Sequence, residues 1–151
     1  MYKKVSTDMN FVDREKQIEK FWDDNHIFEK SMEEREGCPD YIFYDGPPTA
    51  NGKPHIGHVL TRVIKDMIPR YQTMKGHMVP RKAGWDTHGL PVELEVEKKL
   101  GLNGKEQIEE YGLEPFIDKC KESVWKYKGM WEDFSSTVGF WADMELSLIH
   151  I

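Results

Sequence analysis

The stretch Asp45-Gly46-Pro47-Pro48-Thr49-Ala50-Asn51-Gly52-Lys53-Pro54 separates an aromatic, β-branched run from a long helix-period pattern. That junction limits the fold more than any other feature. Upstream, Tyr41-Ile42-Phe43-Tyr44 is bounded by Pro39-Asp40 and Asp45-Gly46-Pro47, the flanks expected of a buried strand. Downstream, Val59, Val63, Met67 and Tyr71 recur at four-residue steps beside Leu60, Ile64 and Ile68. This predicts a broad apolar helix face suited to lying on a sheet. Strand, glycine loop and helix in that order predict an α/β fold with a parallel sheet, whose ligands gather at the carboxyl ends of the strands. His55 and His58 fall at the loop–helix junction with Gly57 between them. A helix start collects free backbone N–H groups and the positive end of its dipole, and imidazoles add further donors. Such a point suits a polyphosphate.

The bulk properties exclude other classes. With 151 residues the chain can bury one ordinary core, and 21 basic against 27 acidic residues leave a formal net charge of −6. No global basic field exists of the kind that grips nucleic acid. Cys38 and Cys120 lie far apart, so neither a disulfide scaffold nor a thiolate zinc site has support, and reduced thiols are expected. The first eight residues carry no apolar core after the lysines, and no segment approaches membrane-spanning length. A soluble, cytoplasmic protein without a membrane partner is expected.

Elsewhere a helix is predicted over 11–25, with Asn10 as its cap and Ile18, Phe21 and Trp22 on its inner face. Residues 32–40 read as a linker. Pro69 is expected to kink or end the helix after His58, and Gly76 to close it. A second strand is expected over 78–82, although Pro80 is awkward there. Helices follow over 92–100, Lys105–Tyr111 and from Glu114-Pro115, the last with an apolar stripe of Phe116, Cys120, Val124, Tyr127, Trp131, Phe134 and Val138.

His55-Ile56-Gly57-His58 resembles the His-Ile-Gly-His motif of class I aminoacyl-tRNA synthetases. Residues 45–52 before it, and Gly84-Trp85-Asp86-Thr87-His88-Gly89-Leu90-Pro91-Val92-Glu93 after it, resemble the isoleucyl branch of that family. Valyl relatives carry a Thr-Asp-His element, and leucyl relatives an Ala-Phe pair, within the second segment. The resemblance runs from about Phe11 to Glu145. It implies an N-terminal helix and linker over 1–40, then over 41–145 the first half of a Rossmann-like, parallel-sheet aminoacylation domain. It further implies ATP with Mg²⁺, isoleucine and tRNA(Ile) as reactants, and a monomeric full-length enzyme. His55 and His58 would then be catalytic and, with Gly57 and Lys53, bind ATP. Asp86 would meet the amino group of isoleucine, with Gly46 and Pro47 completing that site. The family's Lys-Met-Ser-Lys-Ser loop, editing domain and anticodon-binding helices have no counterpart here, so the chain is expected to be an inactive amino-terminal fragment. Leu146-Ser147-Leu148-Ile149-His150-Ile151 matches what a sequencing adapter encodes, and is expected to be a library scar.

Rival readings stand beside these. The two histidines could face solvent, or could ligate zinc with His77 or His88, although no nearby cysteine completes a set. Asp86 could close an Asx-turn on its own backbone, Trp85 and His88 could serve packing, and Lys53 could be simply solvated. Trp125, Tyr127, Trp131, Phe134, Phe140 and Trp141 could stack nucleic-acid bases, but their helical spacing favours a core. A valyl or leucyl synthetase, and a non-catalytic nucleotide-binding module, are the alternative functions.

Overall fold

A computed structural model of the chain describes Lys4, Thr7 and residues 10–144, so the tail at 146–151 lies outside the described residues. Six helices account for most of it: α1 (Phe11–Asp24), α2 (Ile27–Glu33), α3 (Ile56–Met74), α4 (Leu90–Leu100), α5 (Lys105–Tyr111) and α6 (Leu113–Thr137). Asn10 caps α1 as its sequence position requires, its side-chain oxygen accepting the Asp13 N–H at 3.3 Å. Only part of the α1 face turns inward. Ile18 and Phe21 are exposed, while Trp22 packs edge-on against Trp141 with ring centroids 5.1 Å apart. α2 replaces the start of the expected linker; it begins after His26, which takes a left-handed φ of 51°.

α3 corrects two expectations. Pro69 does not end it, and the helix continues to Met74 with Pro69 buried and its carbonyl accepting the Thr73 hydroxyl at 2.9 Å. Its apolar stripe is also not the packed face: Leu60, Val63, Ile64, Met67 and Tyr71 are exposed, and Arg62, Asp66 and Pro69 are buried instead. The reason lies in the partners that the chain supplies. Asp66 meets Arg70 and Arg81, and Arg62 stacks on aromatic rings, whereas nothing described covers the apolar stripe. Gly76 closes the helix as expected. At φ 93° its N–H reaches Thr73 O (3.0 Å) while the His77 N–H reaches Gln72 O (3.1 Å), the paired bonds of a Schellman cap.

No continuous strand forms among the described residues. The 41–44 run is not buried, with Ile42 64% and Tyr44 90% exposed, and 78–82 is not a ladder. Three single parallel bridges stand in their place: Asp40–Met78, Lys82–Asp143 and Thr49–Asp86. Met78 bonds through its N–H to Pro39 O (3.0 Å) and through its carbonyl to Tyr41 N (2.8 Å). Arg81 O accepts from Asp143 N (2.7 Å) and Ala83 N donates to Asp143 O (2.9 Å). Alternate residues of an extended segment use opposite edges, so 78–83 lies between the other two. Pro39, Pro47, Pro48 and Pro80 offer no N–H, which keeps these pairings short.

The core sits on the other side of the loop. Val92 and Val96 of α4 are buried, and Ala50, Trp85 and Val92 cluster with Val124, Tyr127 and Trp131 of α6. This α6 stripe is the predicted one, and the Tyr127 hydroxyl donates to Glu95 Oε1 at 2.8 Å to tie α6 to α4. Trp125 alone of the aromatic group is largely exposed.

Candidate functional site

Local hydrogen bonding builds the site. His55 is the N-cap of α3 in extended conformation, and its Nδ1 accepts the Gly57 N–H at 3.1 Å. His58, one turn on, reaches back so that its Nδ1 accepts the His55 N–H at 3.0 Å. The two imidazoles thus perform the reciprocal capping usually done by Ser/Thr and Glu/Gln. Their centroids stand 3.7 Å apart. With both Nδ1 atoms accepting, the ring protons sit on Nε2, and two N–H donors remain for a ligand. Gly57 has a specific reason here: a Cβ would lie 3.0 Å from His55 Cε1 and 3.1 Å from its Nδ1, so a side chain would crowd the His55 ring that caps the helix.

Trp131 supports this pair from α6. Its indole N–H donates to Gly52 O at 2.9 Å, fixing the loop, and its ring meets His58 edge-on at 4.7 Å. Burial, and then the neighbouring His55 and Arg62, hold the His58 pKa below its ordinary value. At neutral pH that imidazole is uncharged and acts as a donor rather than a cation.

A cleft of about 480 Å³ opens in front, lined by Lys53, His55, His58, Arg62, Lys65 and Asp45 among others. Lys65 pairs with Asp45 at 2.5 Å. Arg62 and Lys65 are residues that sequence reasoning missed. They follow His58 by four and seven positions and so share its helix face, a spacing eclipsed by the louder apolar pattern.

The other expected residues only partly join them. Gly46 lines the histidine cleft and also a smaller cavity of about 70 Å³, which Pro47 lines with it beside Arg62, Arg81 and Trp85. Asp86 lines neither cavity. Its carboxylate accepts the Thr49 hydroxyl at 2.9 Å, and its backbone bridges Pro48 and Ala50, so here it anchors the loop. Trp85 is fully buried and His88 exposed. His77 is half-buried beside Tyr41. No group of three or more His, Cys, Asp or Glu among the described residues is placed to hold a metal ion.

Residues 17–149 match the family model for class I tRNA synthetases (I, L, M and V). The chain belongs to the class I tRNA synthetases. It is 61% identical over 145 residues to the isoleucine–tRNA ligase of Clostridium novyi (strain NT), covering 96% of this chain and 14% of the relative. Identity is 62% over 145 residues to that of Clostridium kluyveri, and 58% over 143 to isoleucine–tRNA ligase 2 of Bacillus anthracis, with 14% of each relative covered. The chain therefore spans about 14% of the length of these relatives. Among solved structures it is similar to a leucyl synthetase of Agrobacterium radiobacter K84 in a ternary complex with tRNA and LeuAMS. The TM-score is 0.65 at 21% identity, over 87% of this chain and 14% of that one, a likeness of fold. Among the described residues no helix is long and apolar enough to cross a membrane.

Proposed function

We propose that the chain is an amino-terminal segment of a cytoplasmic isoleucine–tRNA ligase that carries one wall of its ATP site. The carrying observation is the imidazole cap: two Nε2–H donors held side by side at the positive end of a nineteen-residue helix. In the complete enzyme, the isoleucine carboxylate attacks the α-phosphorus of ATP, the bond from that phosphorus to the α,β-bridging oxygen breaks, and pyrophosphate leaves; Mg²⁺ bound with ATP would neutralise its charge. Isoleucyl-adenylate results, and its acyl group passes to the terminal ribose of tRNA(Ile). The protein's task is alignment and the stabilisation of charge growing on phosphate oxygens. His55 and His58 would donate to those oxygens, and Lys53 at the cleft rim would steer the anion. Asp86 would meet the substrate ammonium and Gly46 and Pro47 the isoleucine side. Asp86 would then have to exchange its Thr49 bond for that partner. The parallel bridges support reading 41–145 as the first half of a Rossmann-type sheet, preceded over 1–40 by an N-terminal helix and linker.

Isoleucine-dependent ATP–pyrophosphate exchange tests this. In the full-length ligase, His58→Ala should lower the rate with little change in isoleucine KM, and Asp86→Ala should raise that KM. Wild-type kinetics in either variant removes the assignment. Exchange with valine or leucine preferred over isoleucine reassigns the enzyme. The 151-residue chain should show no exchange, since its part of the phosphate cradle is incomplete.

A further inference from the structure

Arg62 carries five N–H donors, yet it is only 8% exposed and its Nε is buried without a hydrogen-bond partner. No ion pair holds it among the described residues. The carboxylate whose charge acts on it is Asp45, which is already engaged by Lys65 at 2.5 Å. What holds the guanidinium is a cage of rings: Phe140 at 4.4 Å from its centre, Trp131 at 5.3 Å and Phe134 at 6.0 Å. Such a cage orients a cation and strips its water, but offers no acceptor for its N–H groups. Burying a charge this way is unfavourable unless an anion arrives. Burial accordingly pulls the Arg62 pKa down, and Asp45 offsets this only in part.

Its position gives the ligand. Arg62 lines the histidine cleft, and it also lines the smaller cavity beside Gly46 and Pro47. One helical turn separates it from His58, about 6 Å along the axis. Linked phosphates, with oxygens spread along a chain, can reach both residues at once; a single compact anion reaches one. Lys53 adds positive charge to this cleft in a chain of net charge −6, whereas the Lys65 charge is offset by Asp45, which lines the same cleft.

We propose that Arg62 is a preformed phosphate-binding residue of this cleft, its fork of donors taking an oxyanion of the nucleotide's polyphosphate beyond the histidine pair. The inference rests on the nucleotide reading above and extends it to a residue outside the His-Ile-Gly-His motif. A carboxylate presents the same oxyanion chemistry, and the amino acid is its other source.

The test uses the ¹⁵N-labelled 151-residue chain and three probes: inorganic tripolyphosphate, adenosine and isoleucine. Tripolyphosphate should shift the Arg62 Nε–H resonance in the wild-type chain. Arg62→Gln should weaken tripolyphosphate binding roughly tenfold to a hundredfold, the range for a hydrogen bond to a charged group. Arg62→Lys should recover the charge but not the fork, and so restore binding only in part. Adenosine affinity should stay within about twofold, a selectivity that general loss of structure would not produce. Tripolyphosphate binding lost in His58→Ala but kept in Arg62→Gln overturns the inference and leaves the histidine reading standing. An Arg62 resonance that moves only with isoleucine also overturns it, in favour of the carboxylate. Binding that neither substitution alters, or no saturable binding at all, overturns both readings.

Discussion

Asp66→Ala is the substitution the fold should tolerate least for its size. The carboxylate is 9% exposed and joins three parts of the chain. It accepts from Arg70 within α3, from the Trp141 backbone N–H at 3.2 Å, and it faces Arg81 Nη1 at 3.6 Å. Arg81 is itself 7% exposed, and among the described residues its guanidinium donates to the Thr73 hydroxyl at 3.1 Å. Removing Asp66 leaves a buried guanidinium without its anion, at a cost of about 3–5 kcal/mol. That is a large share of the roughly 5–15 kcal/mol that holds a domain folded. Asp24→Ala is the control: its pair with Lys20 is solvent-exposed and contributes less than about 0.5 kcal/mol. Urea unfolding followed by circular dichroism and tryptophan fluorescence measures both. A second arm combines Asp66→Leu with Arg81→Met. Replacing both charges by apolar groups of similar size should recover part of the loss, because the desolvation of the pair disappears along with its attraction while the Arg70 and Trp141 bonds stay broken. If Asp66→Ala loses less than about 1 kcal/mol, or the double replacement is worse than the single, the buried-charge argument fails.

Tyr127→Phe deletes the hydroxyl that donates to Glu95, and should cost about 1–1.5 kcal/mol at neutral pH in the same unfolding assay. The Tyr127 hydrogen bond is the first cause holding the Glu95 carboxyl below its ordinary 4.5, ahead of the opposing effect of burial and the help of Lys99. A depressed folded pKa gives stability that is full above 4.5 and is lost as pH falls through the lower value, so the gap between variant and wild type should close on acidification. A gap independent of pH contradicts this. His58 should titrate below 6.5 by NMR of its ring protons, because burial first, then His55 and Arg62, disfavour its cation. Its contribution to stability is present above 6.5 and fades as pH falls through the folded value, when a protonated Nδ1 can no longer accept the His55 N–H. A midpoint above 6.5 removes the cap geometry from the account.

What the sequence by itself determined is local. The Asn10 cap, the Gly76 terminator, the bounds of α5 and the apolar stripe of α6 follow from residues within about four positions of one another, where helix periodicity and capping operate. The juxtaposition of His55, Gly57 and His58 at a helix start belongs to the same class, and the mutual hydrogen bonds of the rings are its direct outcome. Only the tertiary structure decided which face of α3 is buried. Periodicity reports that Val63, Met67 and Tyr71 form an apolar face, but burial requires something to lie against it, and the described chain places Arg81, Trp141 and Phe140 against the opposite face. The 41–44 run stays exposed for the same reason, since a strand is buried only when neighbours occupy its edges and faces. Arg62 became legible only through Trp131, Phe134 and Phe140, at least 69 positions away in the chain, and the Thr49 partner of Asp86 through a bridge spanning 37. Such contacts depend on how distant segments meet, and no local spacing encodes them.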